Sequence, residues 1–524
     1  MSQMLKSSSA IALATLLSRI LGLVREMAYA HLMGTGLVAS AFTYAFSIPN
    51  LFRRLLGEGV LTAAFIPHFK QKQKQEGDAE MWRVANAVLS ALLVTATAVV
   101  LLMMLIATLL MWSGWFKLKT VLMLDLMRCM CPYLLLVCVA AFFMGMLNAR
   151  GHFFVPAFGS VMLNVVMIAS VFLLAPMMGK TLERQVFGIA LGVVLAGAAQ
   201  ALYQLPLLRR EGFRFRWITP WKDDSVRFVA RQMVPGILGV AAFQINVLIS
   251  QGLGFWFADH IVSSFGYAVR LMELPQGLFG VSLATYLLPT LSGLATDKKY
   301  PEFRSTLQQG IGYVLTSNIL AAALLVVLAE PIIRLLFERG SFDLAATTRV
   351  TKALVFLAPG LIAYSTVNIL ARAFYALGDT TTPTRISICC LILNLVLTAL
   401  FLGPLEQAGM GLANSMTAAM NAGLLLYALR RKLGRLDFQR LQGSVFALAG
   451  VGLAAGGTAW AVFRAWDSYF GHQSFGTKVG GVFVPATAAG IIYAVLIHLL
   501  RIGYGSEAID QALAQIRKRL RRRH

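Results

Sequence analysis

The residues of this sequence best suited to chemistry are arginines and glutamates set inside apolar sequence. The stretch Ser47–Gly59, S-I-P-N-L-F-R-R-L-L-G-E-G, places Arg53, Arg54 and Glu58 in the middle of an apolar segment that runs from Gly36 to His68. Arg19, Arg25 and Glu26 occupy an earlier apolar segment, and Arg270 and Glu273 a later one. A charge at bilayer depth costs about 2.5–3.5 kcal/mol on insertion scales, so such residues usually face a bundle interior or a water-filled cavity. Arg54 and Glu58 are four apart and Arg270 and Glu273 three apart, spacings that bring side chains together on one helix face. The set holds five arginines against three glutamates. A structural ion-pair network accounts for the matched members but not for the surplus, because an uncompensated charge in a dry interior is costly. A wet cavity that receives an anion accounts for it better. Arginine rather than lysine suits phosphate or carboxylate, because the planar guanidinium offers two parallel donors to such oxygens. Arg19 and Arg25 are six apart, hence about 120° apart on a regular helix, so they line a wide cavity rather than grip one group.

No catalytic arrangement competes with this binding chemistry. The sequence has no H-E-x-x-H, no Walker loop and no metal-ligand spacing, and its seven histidines are scattered. Asp125 and Arg128, and Arg349 and Lys352, fall near the ends of apolar segments, where long side chains reach the interface. The expectation is a protein that is not an enzyme and needs no metal or organic cofactor.

The elements that position these charges are membrane spans. Of 524 residues, 58% are hydrophobic and only 13% charged, against about 25% charged in soluble domains. Apolar stretches long enough to cross about 30 Å of hydrocarbon recur along the whole chain, and about fourteen can be counted. The expected fold is therefore an all-α integral membrane protein. Lys70, Lys72, Lys74, Arg150, Arg209, Arg210, Arg214, Arg216 and the cluster Arg430, Arg431, Lys432, Arg435 all fall in connections on one side. That side is cytoplasmic by the positive-inside rule, and an even span count puts both termini there. The net charge of +23 follows from this bias. Its expected partners are anionic membrane lipids at the cytoplasmic face and an anionic substrate, not nucleic acid. The five cysteines lie in apolar segments and read as small packing residues.

The chain also repeats itself. Ile20-Leu21-Gly22 is echoed by Ile237-Leu238-Gly239, Phe42-x-Tyr44-Ala45 by Phe265-x-Tyr267-Ala268, and Pro67 by Pro289. An ordered series of this kind points to duplication of a six-span unit, with a pseudo-axis along the membrane normal. The domain expectation is residues 1–210 for the first lobe, 211–433 for the second, 434–502 for two further spans, and 503–524 for a basic cytoplasmic tail.

S-R-I-L-G-L-V-R-E (Ser18–Glu26), P-N-L-F-R-R-L-L-G-E-G (Pro49–Gly59) and Y-A-V-R-L-M-E-L-P-Q-G (Tyr267–Gly277) together resemble the MurJ (MviN) lipid II flippase family. That family belongs to the multidrug/oligosaccharidyl-lipid/polysaccharide exporter superfamily, and the resemblance covers the whole chain. It implies two pseudo-symmetric six-helix lobes around a central cationic cavity, with two additional C-terminal helices. It also implies carriage of lipid II, undecaprenyl-pyrophosphoryl disaccharide-pentapeptide, from the inner to the outer leaflet of the bacterial cytoplasmic membrane. By matching motif positions, Arg19, Arg25, Arg53, Arg54, Glu58, Arg270 and Glu273 would be the substrate-binding residues. Two positions depart from the family pattern: Ser40 and Val269 stand where Asp is common, which makes the interior more positive.

The expected mechanism is alternating access, with coupling to the membrane potential or to an ion the sequence does not name. Other cell-wall synthesis proteins are expected as further partners. Three alternatives stay open at this level: a flippase for another polyprenyl-pyrophosphate-linked oligosaccharide, a multidrug antiporter, and a scaffold of envelope synthesis that moves no lipid. An antiporter for cationic drugs needs an acidic interior, and this one is basic.

Overall fold

A computed structural model describes residues 2–57, 60–434, 438–503 and 505–507, and these are helical with short connections and no strand. Glu58, Arg435 and the basic tail that holds Arg517–Arg523 lie outside the described residues. Contacts divide the chain into two compact units, Met1–Ser263 with Arg339–Phe342, and Ser264–Glu338 with Asp343–His524.

The first unit contains α1 (Ser2–Met33), α2 (Leu37–Phe52), α3 (Val60–Trp112), α4 (Leu118–Met130), α5 (Pro132–Ala149), α6 (Phe154–Ala169), α7 (Ala175–Met177), α8 (Leu182–Arg210) and α9 (Asp224–Phe257). Its core is aromatic at one end: Phe65 packs between Phe69 and Phe142 with tilted rings, their centroids 5.1 and 4.6 Å away. Gly188 on α8 is required by close approach, since a Cβ there would meet the backbone of Ala175 at 2.7 Å. Gly22 and Gly36, which flank Arg25 in sequence, have no such neighbour: an added Cβ would touch nothing closer than 3.9 Å. Asp223 caps α9, accepting from the amides of Ser225 (2.9 Å) and Val226 (3.2 Å), where a first-turn carboxylate satisfies otherwise orphaned donors.

The second unit contains α10 (Ile261–Pro275) from Ser264 onward, α11 (Ser282–Thr296), α12 (Tyr300–Val327), α13 (Ala329–Leu336), α14 (Leu344–Leu357), α15 (Gly360–Ala376), α16 (Thr381–Leu433), α17 (Phe438–Phe470) and α18 (Phe475–Leu499). Its buried core draws on Leu291, Phe303, Leu370, Phe374 and Leu429. The last two helices, α17 and α18, pack on each other and are joined by a capping box at Ser474 and Thr477.

Ten of the described helical stretches are long and apolar enough to cross a membrane, or eleven if α14 and α15, bent by 45°, count as one span. The sequence expectation was about fourteen. Length accounts for much of the difference. Helices α3 and α16 each hold 53 residues, about 80 Å as straight rods, which is far more than one bilayer requires. Both break: α3 at Gly77 (φ 87°) and α16 at Glu406 (φ 49°). Along α3, Leu101, Leu105 and Leu109 are all more than half exposed, the face expected to meet lipid.

Both units carry the same irregularity. A π-helical turn, Arg53–Gly57, joins α2 to α3, and another, Gln276–Val281, joins α10 to α11. Each follows a proline, Pro49 and Pro275. A proline removes one backbone donor and crowds the preceding turn, which favours a local change of hydrogen-bond register. Arg53 and Gln276 stand in the same sequence register as Phe42 and Phe265.

Candidate substrate site

Arg25 emerges from the last third of α1 into the contact with α6. One terminal nitrogen donates to Asn164 Oδ1 at 3.1 Å and lies 3.9 Å from Met167 Sδ; the other donates to Glu26 Oε1 at 2.6 Å. Its guanidinium carbon is 5.8 Å from the centroid of the Tyr29 ring, within the range of cation–π attraction. Arg25 and Glu26 are each 13% exposed. Asn164 is held in turn, donating from Nδ2 to the carbonyls of Ser18 (3.1 Å) and Ser160 (3.0 Å). Arg25 therefore sits in a clamp built from two helices, with its charge answered by the carboxylate next to it in sequence. Arg19, further back on α1, is exposed.

Arg53 and Arg54 open the π-helical turn after α2, and both are partly buried. The backbone N–H of Arg53 is shared between the carbonyls of Pro49 and Asn50, and its Nε donates to Asn50 Oδ1 at 2.8 Å. Arg54 reaches α9, where a terminal nitrogen lies 3.4 Å from Gln244 Oε1, a long and hence weak hydrogen bond. Gln244, Asn246 and Ser250 are buried polar residues on the same helix, α9. The turn thus presents two adjacent guanidiniums within an otherwise apolar span, supported by amide side chains.

In the second unit, Arg270 donates to Glu273 Oε2 at 2.8 Å, and both side chains remain nearly half exposed. Charges this exposed on an apolar helix cannot face hydrocarbon cheaply, so they face water. A second charged group lies on α13: Arg334, 9% exposed, pairs with Glu330 and Glu338, and Lys478 approaches Glu338 at 3.5 Å. Two cations face two carboxylates there, so the group is balanced in charge.

Sequence reasoning placed the arginines in apolar helical segments but missed the π turn that carries Arg53 and Arg54 and the amides that contact Arg25 and Arg54. Asn164 in V-M-L-N-V-V-M and Gln244 in A-A-F-Q-I-N are lone polar residues in apolar runs, a signal that reads as helix-to-helix hydrogen bonding. Ser40, where the resembling family often carries an acid, is fully buried. Its Oγ accepts from the Ser263 amide at 3.2 Å and lies 3.0 Å from Ser263 Oγ. The hydroxyl is thus satisfied within the first unit, by Ser263, without any added charge.

A family model described as lipid II flippase MurJ matches residues 29–479. A probable lipid II flippase MurJ of Vibrio cholerae is 35% identical over 436 residues, covering 81% of this chain and 82% of its own. The lipid II flippase MurJ of Burkholderia cenocepacia is 32% identical over 459 residues, covering 83% and 87%. Among solved structures, a lipid II flippase MurJ in an inward closed conformation superposes with a TM-score of 0.76 at 21% identity, over 94% of this chain and 99% of that one. An inward-facing multidrug resistance MATE family transporter of the MOP superfamily superposes with a TM-score of 0.67 at 13% identity, over 80% and 95%.

Proposed function

The chain belongs to the lipid II flippase MurJ family, and on that premise we propose that Arg53 and Arg54 bind the pyrophosphate of lipid II while its polyprenyl chain stays in lipid. The protein is a multi-pass flippase of the bacterial inner membrane, and its role in peptidoglycan synthesis follows from its substrate. The observation that carries the assignment is the position of these two residues: adjacent, partly exposed guanidiniums on a π-helical turn inside an apolar span. Planar paired donors suit the oxygens of a pyrophosphate, and the site needs no bond-making chemistry to do its work. Arg19, Arg25, Glu58, Arg270 and Glu273 complete the proposed set. Arg25 acts from its clamp with Asn164, and Arg270 is partly balanced by Glu273.

Movement is by alternating access, and both termini are cytoplasmic in this reading. Membrane potential or an ion supplies the bias in this reading, and each elementary charge moved across the membrane is worth about 2.3 kcal/mol per 100 mV. The MATE likeness shows a shared fold, but a binding region built from arginines does not suit a cationic drug.

The test compares Arg→Lys with Arg→Ala at positions 53 and 54, scored by lipid II translocation in proteoliposomes and by complementation at matched membrane abundance. Bidentate phosphate binding predicts that lysine fails nearly as badly as alanine, because it keeps the charge and loses the paired donors. Rescue by lysine would reduce the pair to a source of positive potential. Full translocation by both alanine variants would remove them from the site.

A further inference from the structure

The connection between α8 and α9 is built as a hairpin pinned along α3. At one end Glu211 accepts from Arg150 Nε (2.9 Å) and lies 2.7 Å from His152 Nε2. Phe213 is fully buried, with Trp82 and Phe143 at centroid distances of 5.6 and 6.0 Å. One turn further along α3, Asn86 reads the backbone as a sheet neighbour would, donating to the Arg214 carbonyl and accepting from the Arg216 amide, both at 3.0 Å. One turn beyond that, Ser90 Oγ accepts from the Ile218 amide at 3.3 Å. The chain then returns through a short 3-10 turn, Pro220–Lys222, to Asp223, which pairs with Arg83 at 2.6 Å.

This path has a direction. From Trp82 to Ser90 is about 12 Å along the helix, and from Ser90 to Trp112 at its far end about 33 Å. A hydrocarbon core about 30 Å thick therefore ends close to Ser90, and the hairpin tip reaches that boundary. The side chains displayed there are of two kinds. Phe215, Trp217 and Trp221 are 50%, 58% and 66% exposed, and Arg214 and Arg216 beside them are exposed too. Arg209 and Arg210 stand exposed just before the hairpin. Indole rings are favoured at the headgroup level, and exposed guanidiniums alternating with them match phosphate-bearing headgroups in charge.

We propose that residues 213–222 form an interfacial wedge that seats an anionic phospholipid headgroup, with Trp217 at the acyl boundary and Arg214 and Arg216 on the phosphate. It deepens the reading of the basic side as the one facing anionic lipid and rests on it. Because the loop is fixed at Glu211, Asn86, Ser90 and Arg83, the wedge is preformed, and lipid binding need not order it.

The full-length protein is placed in phosphatidylcholine nanodiscs with increasing fractions of dibrominated phosphatidylglycerol, and quenching is read as the difference between wild type and Trp217→Phe. Trp217 is expected to be quenched at lower mole fractions by brominated phosphatidylglycerol than by brominated phosphatidylcholine. Arg214→Gln and Arg216→Gln should each raise the half-quenching fraction on the order of fivefold while Trp217 stays in contact with lipid. Equal quenching by the two lipids would overturn the headgroup site. No quenching by either would overturn the wedge, and shielding that appears only on adding cytosolic protein would assign the surface to a protein partner instead. The readout contains no lipid II, so its failure leaves the pyrophosphate assignment standing, and failure of that assignment leaves the wedge standing.

Discussion

At the scale of single residues, several buried or half-buried charges are each held by a specific neighbour. Arg25 is the clearest case: its position depends less on its own helix than on Asn164, a residue 139 positions away that is itself anchored to two carbonyls. Asp379 shows the same economy outside the membrane. It pairs with Lys432 Nζ at 2.6 Å and accepts from the Thr382 amide (3.0 Å) and hydroxyl (2.8 Å). The Lys432 ammonium, with the Thr382 donors, pushes its carboxyl down to about 2 from an ordinary 3.8. A depressed carboxyl contributes stability that is fully present above its unfolded value and is lost as pH falls through the folded one. Protection of the Thr382 amide against hydrogen exchange is therefore expected to hold above about pH 4 and fall away toward pH 2. Asp379→Asn should remove that pH dependence. A protection factor that is flat in the wild type across this range would show that the clasp contributes nothing.

At the scale of elements, the proline-led π turns are the feature with most consequence for function. Arg53–Gly57 and Gln276–Val281 occur at corresponding points of the two halves, and the first carries the arginines assigned to pyrophosphate. A π turn holds one residue more than an α turn, so removing one residue restores α register, leaves the flanking helices in nearly their original phase and re-aims the side chains within the turn itself. Deletion of Leu278, which is 62% exposed, is thus expected to leave membrane abundance near wild type and abolish complementation. Deletion of Leu56 tests the same idea in the first unit. Normal growth with either deletion would mean that the π turns do not aim the substrate site.

At the scale of the whole molecule, the second unit ends in α17 and α18 and then in a chain segment of strongly basic composition, Arg517-Lys518-Arg519-Leu520-Arg521-Arg522-Arg523. Such a run is drawn to anionic headgroups at about 1 kcal/mol per basic residue near the surface. Removing Gln515–His524 is expected to lower membrane abundance and leave lipid II translocation per molecule unchanged, measured by immunoblot and proteoliposome assay side by side. A truncated protein of normal abundance that fails to translocate would place the tail in the mechanism.

Composition and local pattern were enough to identify a helical membrane protein and to find its charged spans, because each is a sum over neighbouring residues. Three short motifs were enough to indicate the family, since they keep residue types at fixed spacing. The tertiary structure alone decided what each arginine meets. Arg54 turns to Gln244, 190 positions away, and Arg25 to Asn164, partners that depend on how helices pack rather than on how residues follow one another. The π turns were equally illegible, because a change of hydrogen-bond register is a property of the backbone that Pro49 and Pro275 permit without specifying. The hairpin beside α3 was visible in sequence only as a basic connection. Its path is set by Asn86 and Ser90, two buried polar side chains that meet the backbone of a distant loop and would otherwise leave hydrogen-bonding groups unmet.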